Sequence, residues 1–456
     1  MQEMEALIFP LPEDILKCRH AGYLEEEIAR IDDRLAGDPP EPLRRRLELE
    51  RRIALLTPKS YPFDREGALA FVRERIPDLT SREFDGLERK GSIESIFLEG
   101  EKRYLASFRD SLLKTDAELR RRAGMPPERP DGKLADALAR LRGEGRLAFR
   151  ISLEARLRLS DEVFRPGAHL RVHLPLPRLC AQQSDISVRD FDGSSLDRPD
   201  ALQRTAFFDR AMSENEPFRL SYSYTNEVRY LPVYDMDRAV DGTVYPGERP
   251  AEPDDLAEQA PHIVFTPYLR ALAETVTEGE SSPLGKARRI YDHITKNIRY
   301  MYMRPYFLIE DQAEYCALSG HGDCGIQAIL FITLCRICGI PARWQSGLAV
   351  DERSAGCHDW AQFHIEPLGW LFADPSYGGA AYRQRDEARR RFYFGNLDPF
   401  RMAANGRYQT GFSPEKRAWR ADPYDNQSGE VEMDAEGLWE DQFTTEYRTL
   451  EMKALP

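Results

Sequence analysis

From Leu147 to Leu159 every odd position is apolar (Leu147, Phe149, Ile151, Leu153, Ala155, Leu157, Leu159), while the even positions include Arg150, Ser152, Glu154, Arg156 and Arg158. Successive side chains of a strand point to opposite faces, so alternation of this length predicts a long strand buried on one side. The pattern returns at Leu170, Val172, Leu174 and Leu176, and again at Leu220, Tyr222, Tyr224, Val228 and Tyr230, with turn-rich stretches such as "DFDGSSLDRPD" between. Several such strands predict a β-sandwich over residues 140–235.

The flanking sequence has a different period. Leu24, Ile28, Ile31 and Leu35 recur at helical spacing, "GDPPEP" interrupts them, and Leu43, Leu47 and Ile53 resume the pattern, the signature of an αα-hairpin. Helical patterning continues to the proline-rich stretch 124–133, which reads as a linker. Residues 1–135 are therefore expected to form a helical N-terminal region, a scaffold or a surface for a protein partner rather than a catalytic unit. A second linker is expected from Pro246 to Pro261, then an α+β core over 255–425 and a C-terminal tail over 426–456. A chain of 456 residues is too long for one ordinary core, and the fold class expected is a multidomain α+β protein.

Acids outnumber bases by 77 to 64, for a formal net charge of -13, the wrong sign for a general phosphate-binding surface, so nucleic acid is not expected as a partner. No apolar run approaches the roughly 20 residues that span a bilayer, and the N-terminus has no basic segment leading into an apolar one. The reading is a soluble cytoplasmic protein of bacterial type, without a membrane partner. Seven cysteines, most of them between Cys316 and Cys357, read as reduced thiols rather than a disulfide framework.

The stretch "GDCGIQAILFITLCRICGIPAR", Gly322 to Arg343, sets Cys324 ahead of an apolar run too long for a strand and stopped by Gly339. A buried helix is expected, with Cys324 at its N-terminus. Unpaired N–H groups there carry about half a positive charge and favour a thiolate, the form that attacks. Cys335 and Cys338, further in, read as core. Asp323 opposes ionisation of the thiol unless it caps the helix. Before this, "SSPLGKARRIYDHITKNI" predicts a helix with Pro283 in its first turn; after it, "RWQSGLAV", "WAQFHIE" and "WLFADPS" predict successive strands. His358 and His364 share a strand face but lie about 20 Å apart, so only one can meet Cys324. Asp374, where Pro375 stops the last strand, is the candidate to orient an imidazole. Cysteine as nucleophile, histidine as base and aspartate fixing the tautomer form a catalytic triad.

These segments resemble the transglutaminase-like superfamily of papain-like cysteine acyltransferases and proteases: the Gly-x-Cys helix followed by Gly-Ile-Pro-Ala-Arg, the His-x-Trp strand, the Gly-Trp turn and the Asp-Pro-Ser strand end. The resemblance implies a transglutaminase-like α+β core and places the nucleophile on Cys324, the base on His358 rather than His364, and the orienting acid on Asp374. It implies thiol acyl transfer from an amide or ester carbonyl of a peptide or protein substrate. Water as acceptor makes a peptidase or amidase, the expected outcome; an amine makes a transglutaminase. A noncatalytic binding module that retains the fold is the competing reading. No cofactor and no metal is expected. No acidic loop of EF-hand type points to calcium, and a zinc site from Cys316, His321, Cys335 or Cys357 is the minor alternative. Tyr315 is a candidate oxyanion donor, and Trp344 and Trp360 read as core or cleft wall. "RQRDEARRRF" reads as a solvated helix face, and the aromatic stretch Phe392–Phe400 as a fold-back that walls the cleft.

Overall fold

The computed structural model describes residues 2–127, 132–237 and 242–456; the middle of the 124–133 linker lies outside the described residues. The N-terminal region is helical, as the period requires. Leu24–Ala36 and Glu41–Ser60 form the expected hairpin, and the capped helices Arg65–Arg73 and Ser81–Arg89 follow. A two-stranded hairpin, Ser95–Leu98 with Glu101–Tyr104, interrupts the helices where the sequence reads as continuous helix.

The alternating segment forms the strand Arg146–Leu159, and its odd positions are the buried ones. It sits in a four-stranded antiparallel sheet ordered Phe443–Ala454, Arg146–Leu159, Phe218–Arg229, Gln183–Arg189. A five-stranded sheet faces it, built on His169–Pro175 and Thr205–Ala211 and extended by Glu430–Met433 and Glu436–Gly437. Phe208 of one sheet meets Phe218 of the other edge to face, with ring centroids 5.3 Å apart. Leu153, Leu157, Val172 and Leu174 fill the space between. The segment 426–456, expected as a tail, instead supplies strands to both sheets. Its apolar residues are too sparse to announce them, because an edge strand buries little beyond Phe443 and Tyr447.

The α+β core places the helix Cys324–Ile337 against a five-stranded antiparallel sheet ordered Phe394–Gly395, Gly369–Ala373, Ala355–Ile365, Ala342–Val350, Arg401–Asn405. Phe331 of the helix meets Phe363 of the sheet at 5.6 Å. The helix Pro283–Asn297 begins as expected, Ser282 accepting from the Gly285 N–H. The linker expected at Pro246–Pro261 packs on the core: Trp370 Nε1 donates to the Arg249 carbonyl and Arg336 to the Ala257 carbonyl, each at 2.7 Å. The basic run is not a solvated face either. Arg389 and Arg390 are buried, and Arg390 is held by Asp292 and Glu387 at 2.5 and 2.7 Å.

Sandwich and core share one apolar interior, with Phe149 against Phe400 at 4.9 Å. Polar bonds seal the join: Gln182 Nε2 donates to Gln345 Oε1 at 2.6 Å, and the Ala403 N–H donates to Gln183 Oε1 at 3.0 Å. Among the described residues no helix is long and apolar enough to cross a membrane.

Candidate active site

Cys324 is the first residue of its helix, and Asp323 is the N-cap, accepting from the Ile326 N–H at 3.2 Å. The same carboxylate accepts from the Tyr306 hydroxyl at 2.5 Å. The helix thus starts where the sequence places it, with the thiol on the first turn. Cys335 is fully buried in the core, and Cys338 is the residue that closes the helix.

The thiol opens on a cleft of about 300 Å³. One wall is the segment Tyr300–Phe307, and another is the start of the central strand, through Cys357 and Asp359. The third, residues 421–428, comes from far along the chain; the stretch Phe392–Phe400 contributes no wall and packs into the core instead. Trp344 lines the cleft, whereas Trp360 lies beneath it with Tyr245 and Phe372. Tyr315, the oxyanion candidate, is elsewhere: its hydroxyl meets His321 Nε2 at 2.8 Å and accepts from Arg304.

His358 and Asp374 are brought together: Nε2 of His358 lies 2.8 Å from Asp374 Oδ2. Asp374 is fully buried and fully used. Its Oδ2 also accepts from Arg401 at 3.0 Å, and its Oδ1 accepts from the Tyr377 N–H and the Ser376 hydroxyl at 2.9 and 3.0 Å, capping the following helix. Burial opposes its charge, but His358 and Arg401 hold its carboxyl down at about 2. Burial lowers His358, with Arg401 adding to it and Asp374 opposing, which favours the neutral imidazole. Its ring lies 4.5 Å from that of Tyr377. His364 stands away from this group, against Trp370.

Cys324 is bonded elsewhere. Its Sγ donates to Asp359 Oδ2 at 3.3 Å, and among the described residues no hydrogen bond joins it to His358. Asp359 is tied in turn to Gln427, whose Nε2 also donates to Asp425 Oδ2 at 2.8 Å. Asp425 further accepts from the Ser346 hydroxyl and from Trp344 Nε1. Cys324 is half-buried, but the cleft walls strip it of bulk water, and this with Asp359 and Asp323 pushes the thiol well above its ordinary value. Burial and the neighbouring Asp425 and Asp323 push Asp359 up as well. The thiolate expected from the helix N-terminus is therefore opposed, first by burial and then by the two neighbouring carboxyls, Asp359 and Asp323.

Asp359, Asp425 and Gln427 were not among the residues expected at the site. Asp359 is the middle residue of the His-x-Trp motif, where parity sets it on the face opposite His358. Parity thus points Asp359 away from the expected site, and Asp425 and Gln427 lie in a polar run that reads as loop.

The zinc alternative has no support in the arrangement. Cys335 is enclosed in the core, Cys357 faces Ser428 at 3.2 Å, and among the described residues no group of three or more His, Cys, Asp and Glu side chains is arranged to hold a metal. All seven cysteines are free.

The sequence model of the transglutaminase-like superfamily matches residues 270–375, a segment that holds Cys324, His358 and Asp374. The chain carries a transglutaminase-like domain within an α+β fold. A comparison with curated proteins gives no match. Among solved structures it is similar to a protein of Cytophaga hutchinsonii provisionally described as a cysteine protease, at 17% identity over 68% of this chain and 93% of that one, with a TM-score of 0.39. It is also similar to the periplasmic domain of TgpA from Pseudomonas aeruginosa, at 16% identity over 55% of this chain and 94% of that one, with a TM-score of 0.28.

Proposed function

We propose that the protein is a cysteine-dependent acyl-transfer enzyme in which Cys324 is the nucleophile, His358 the base and Asp374 the group that fixes the imidazole. The observation that carries this reading is the bond from His358 Nε2 to Asp374, inside the same matched domain that starts its helix at Cys324. With Nε2 engaged, Nδ1 is the nitrogen left to take a proton. In the reaction Sγ turns from Asp359 toward His358, which takes its proton, and the sulfur attacks an amide or ester carbonyl. The helix N–H groups, including that of Cys324, receive the oxyanion. His358 then protonates the leaving amine or alcohol as its bond to the acyl carbon breaks. Water, activated by the same imidazole, attacks the thioester, releases the acid and restores the thiol. A peptide or protein is the substrate, and the reduced cysteines favour a cytoplasmic setting.

One observation favours the second reading, transfer to an amine: Asp359, Asp422 and Asp425 line the cleft and would draw a cationic acceptor toward the thioester.

The test is limiting iodoacetamide at about pH 6, below the ordinary thiol range, with peptide mass spectrometry. Cys357 shares the cleft and is exposed, while its thiol is pushed up to about 12, so it reports access without activation. Because Asp359 holds the proton on Cys324 at rest, labelling of Cys324 over Cys357 is expected to emerge in Asp359→Asn and to be lost when His358→Ala is added, together with loss of peptide turnover in Cys324→Ala. Equal labelling of the two thiols and turnover unaffected by Cys324→Ala would sink the reading. Added amine recovered in the product would select transfer over hydrolysis.

A further inference from the structure

Among the described residues the carboxyls of Asp323, Asp359, Asp422, Asp425 and Glu440 line the cleft that holds Cys324, against a single cation, Arg304. Arg304 is taken by Glu94 and the Tyr61 hydroxyl. Arg420 and Lys416 are buried near this wall but do not line the cleft: Arg420 donates to the Asp425 carbonyl at 2.6 Å, and Lys416 pairs with Glu430 at 2.8 Å. Among the described residues no cation lies within ion-pair distance of the cleft carboxyls. Burial, then Asp425 and Glu440, push Asp422 up, as burial with Asp425 and Asp323 does to Asp359. Carboxyls crowded in this way oppose one another's charge.

The same wall holds acceptors that are left open. Gln427 is 9% exposed, and its Nε2 is committed to Asp359 and Asp425, which fixes the amide with Oε1 turned from both. Among the described residues that Oε1 has no hydrogen-bond partner. Asp425, 1% exposed, receives Ser346, Trp344 and Gln427 all on Oδ2, which leaves Oδ1 for a further donor. A buried acceptor without a donor is unfavourable, and a ligand that brings N–H groups relieves it. Open acceptors and crowded carboxyls fit one kind of group, an ammonium or a guanidinium. Trp344 and Tyr306 line the cleft as well and offer apolar surface to the stem of a long basic side chain.

The charge that draws an amine into the cleft also keeps it protonated, and a protonated amine cannot attack. The wall therefore suits a cation that stays charged throughout the reaction, one carried by the acyl donor. We propose that Asp422, Asp425 and Gln427 form a specificity site for the lysine or arginine side chain of the residue whose carbonyl Cys324 attacks. The inference rests on the cysteine acyl-transfer reading above and names a substrate class for it. The thiol is one hydrogen bond from Asp359, and Asp359 one from Gln427, so a side chain that reaches Gln427 and Asp425 keeps its own carbonyl near Sγ. Residues 421–428 lie outside the segment 270–375 that the family model matches, so the site is carried by a part of the chain peculiar to it.

The probes are the p-nitrophenyl esters of acetyl-lysine, of acetyl-norleucine, which copies the lysine stem without its charge, and of acetyl-glutamate, with release of p-nitrophenolate by the full-length protein as the readout. The lysine ester is expected to exceed the norleucine ester in kcat/KM by about tenfold or more. Asp422→Asn is expected to cut that ratio by about fivefold, and Asp422→Lys to move the preference to the glutamate ester; the asparagine variant serves if the lysine variant does not fold. Turnover left intact by Cys324→Ala fails the underlying reading and takes the inference with it. Turnover that depends on Cys324 but treats lysine and norleucine alike, or a lysine preference unmoved by both Asp422 variants, overturns the specificity site alone. Acetyl-lysine joined through its side chain to a second acetyl-lysine, found by mass spectrometry above the protein-free control, overturns it in favour of the amine as acceptor.

Discussion

Asp359 sets the resting state of the thiol. Donation from Cys324 to its carboxylate keeps the proton on sulfur, and the bond to Gln427 keeps the carboxylate in place. Asparagine at this position keeps an acceptor for the thiol but removes the charge. The Cys324 value then falls, and each unit of the fall gives about tenfold more thiolate at a pH below it. Asp359→Asn is therefore expected to shift the pH profile of Cys324 alkylation to lower pH and raise the rate at pH 7; a profile superimposable on the wild type would show that Asp359 does not restrain the thiol. The three candidate residues were legible because each carries a chemistry and a fixed neighbour: a helix start, a Trp two places on, a Pro at the strand end. The restraint on them was not. It depends on which carboxylates from distant segments converge, and single residues such as Asp425 carry no sign of where they will land.

At the level of elements, the strand Phe443–Ala454 has two roles. It covers the edge of Arg146–Leu159 along nearly its whole length, and Thr445 and Tyr447 donate to the carbonyls of Ser428 and Gln427 in the cleft wall. Removal of residues 443–456 is expected to leave an open apolar-faced edge, with a lower urea midpoint and concentration-dependent aggregation. It is also expected to loosen the wall, so that Cys324 and Cys357 label faster together. Unchanged midpoint and labelling would mean that the strand supports neither. Interior strands declared themselves through alternation because one whole face is buried. This one pairs at the edge with most side chains in solvent, and its period is correspondingly faint. The basic run failed for the opposite reason: composition marks arginine as surface, but Asp292 gives Arg390 a reason to be inside.

For the whole molecule, the sandwich and the thiol-bearing core cannot be separated, since one interior runs through both and strand Arg401–Asn405 is bonded to sandwich residues along its length. The helices after Tyr61 have their own small interior around Val72, Phe84, Phe108 and Leu112. Local stability follows such units. Hydrogen exchange is expected to show residues 65–122 opening at a lower free energy than the helix Cys324–Ile337 and strand Arg146–Leu159, which open together. Equal protection throughout would indicate a single cooperative unit. Period and composition distinguished these regions from one another but could not reveal the fusion of two of them, because residues such as Phe149 and Phe400 are far apart in sequence and each merely looks apolar.

The wall formed by residues 421–428 has a consequence for the order in which the protein is made. Cys324, His358 and Asp374 are translated before that wall and before the strand that anchors it. Pairing across so long a stretch of chain is slow to form, and domains emerge and fold from the N-terminal side. A ribosome-bound chain that has just completed the thiol, the imidazole and the carboxylate still has half a cleft, with no Asp425 or Gln427 to fix Asp359. The acid-lined pocket closes only after synthesis has passed the sheet-sealing strand Phe443–Ala454, so selection of what reaches the sulfur begins only once that strand has been made.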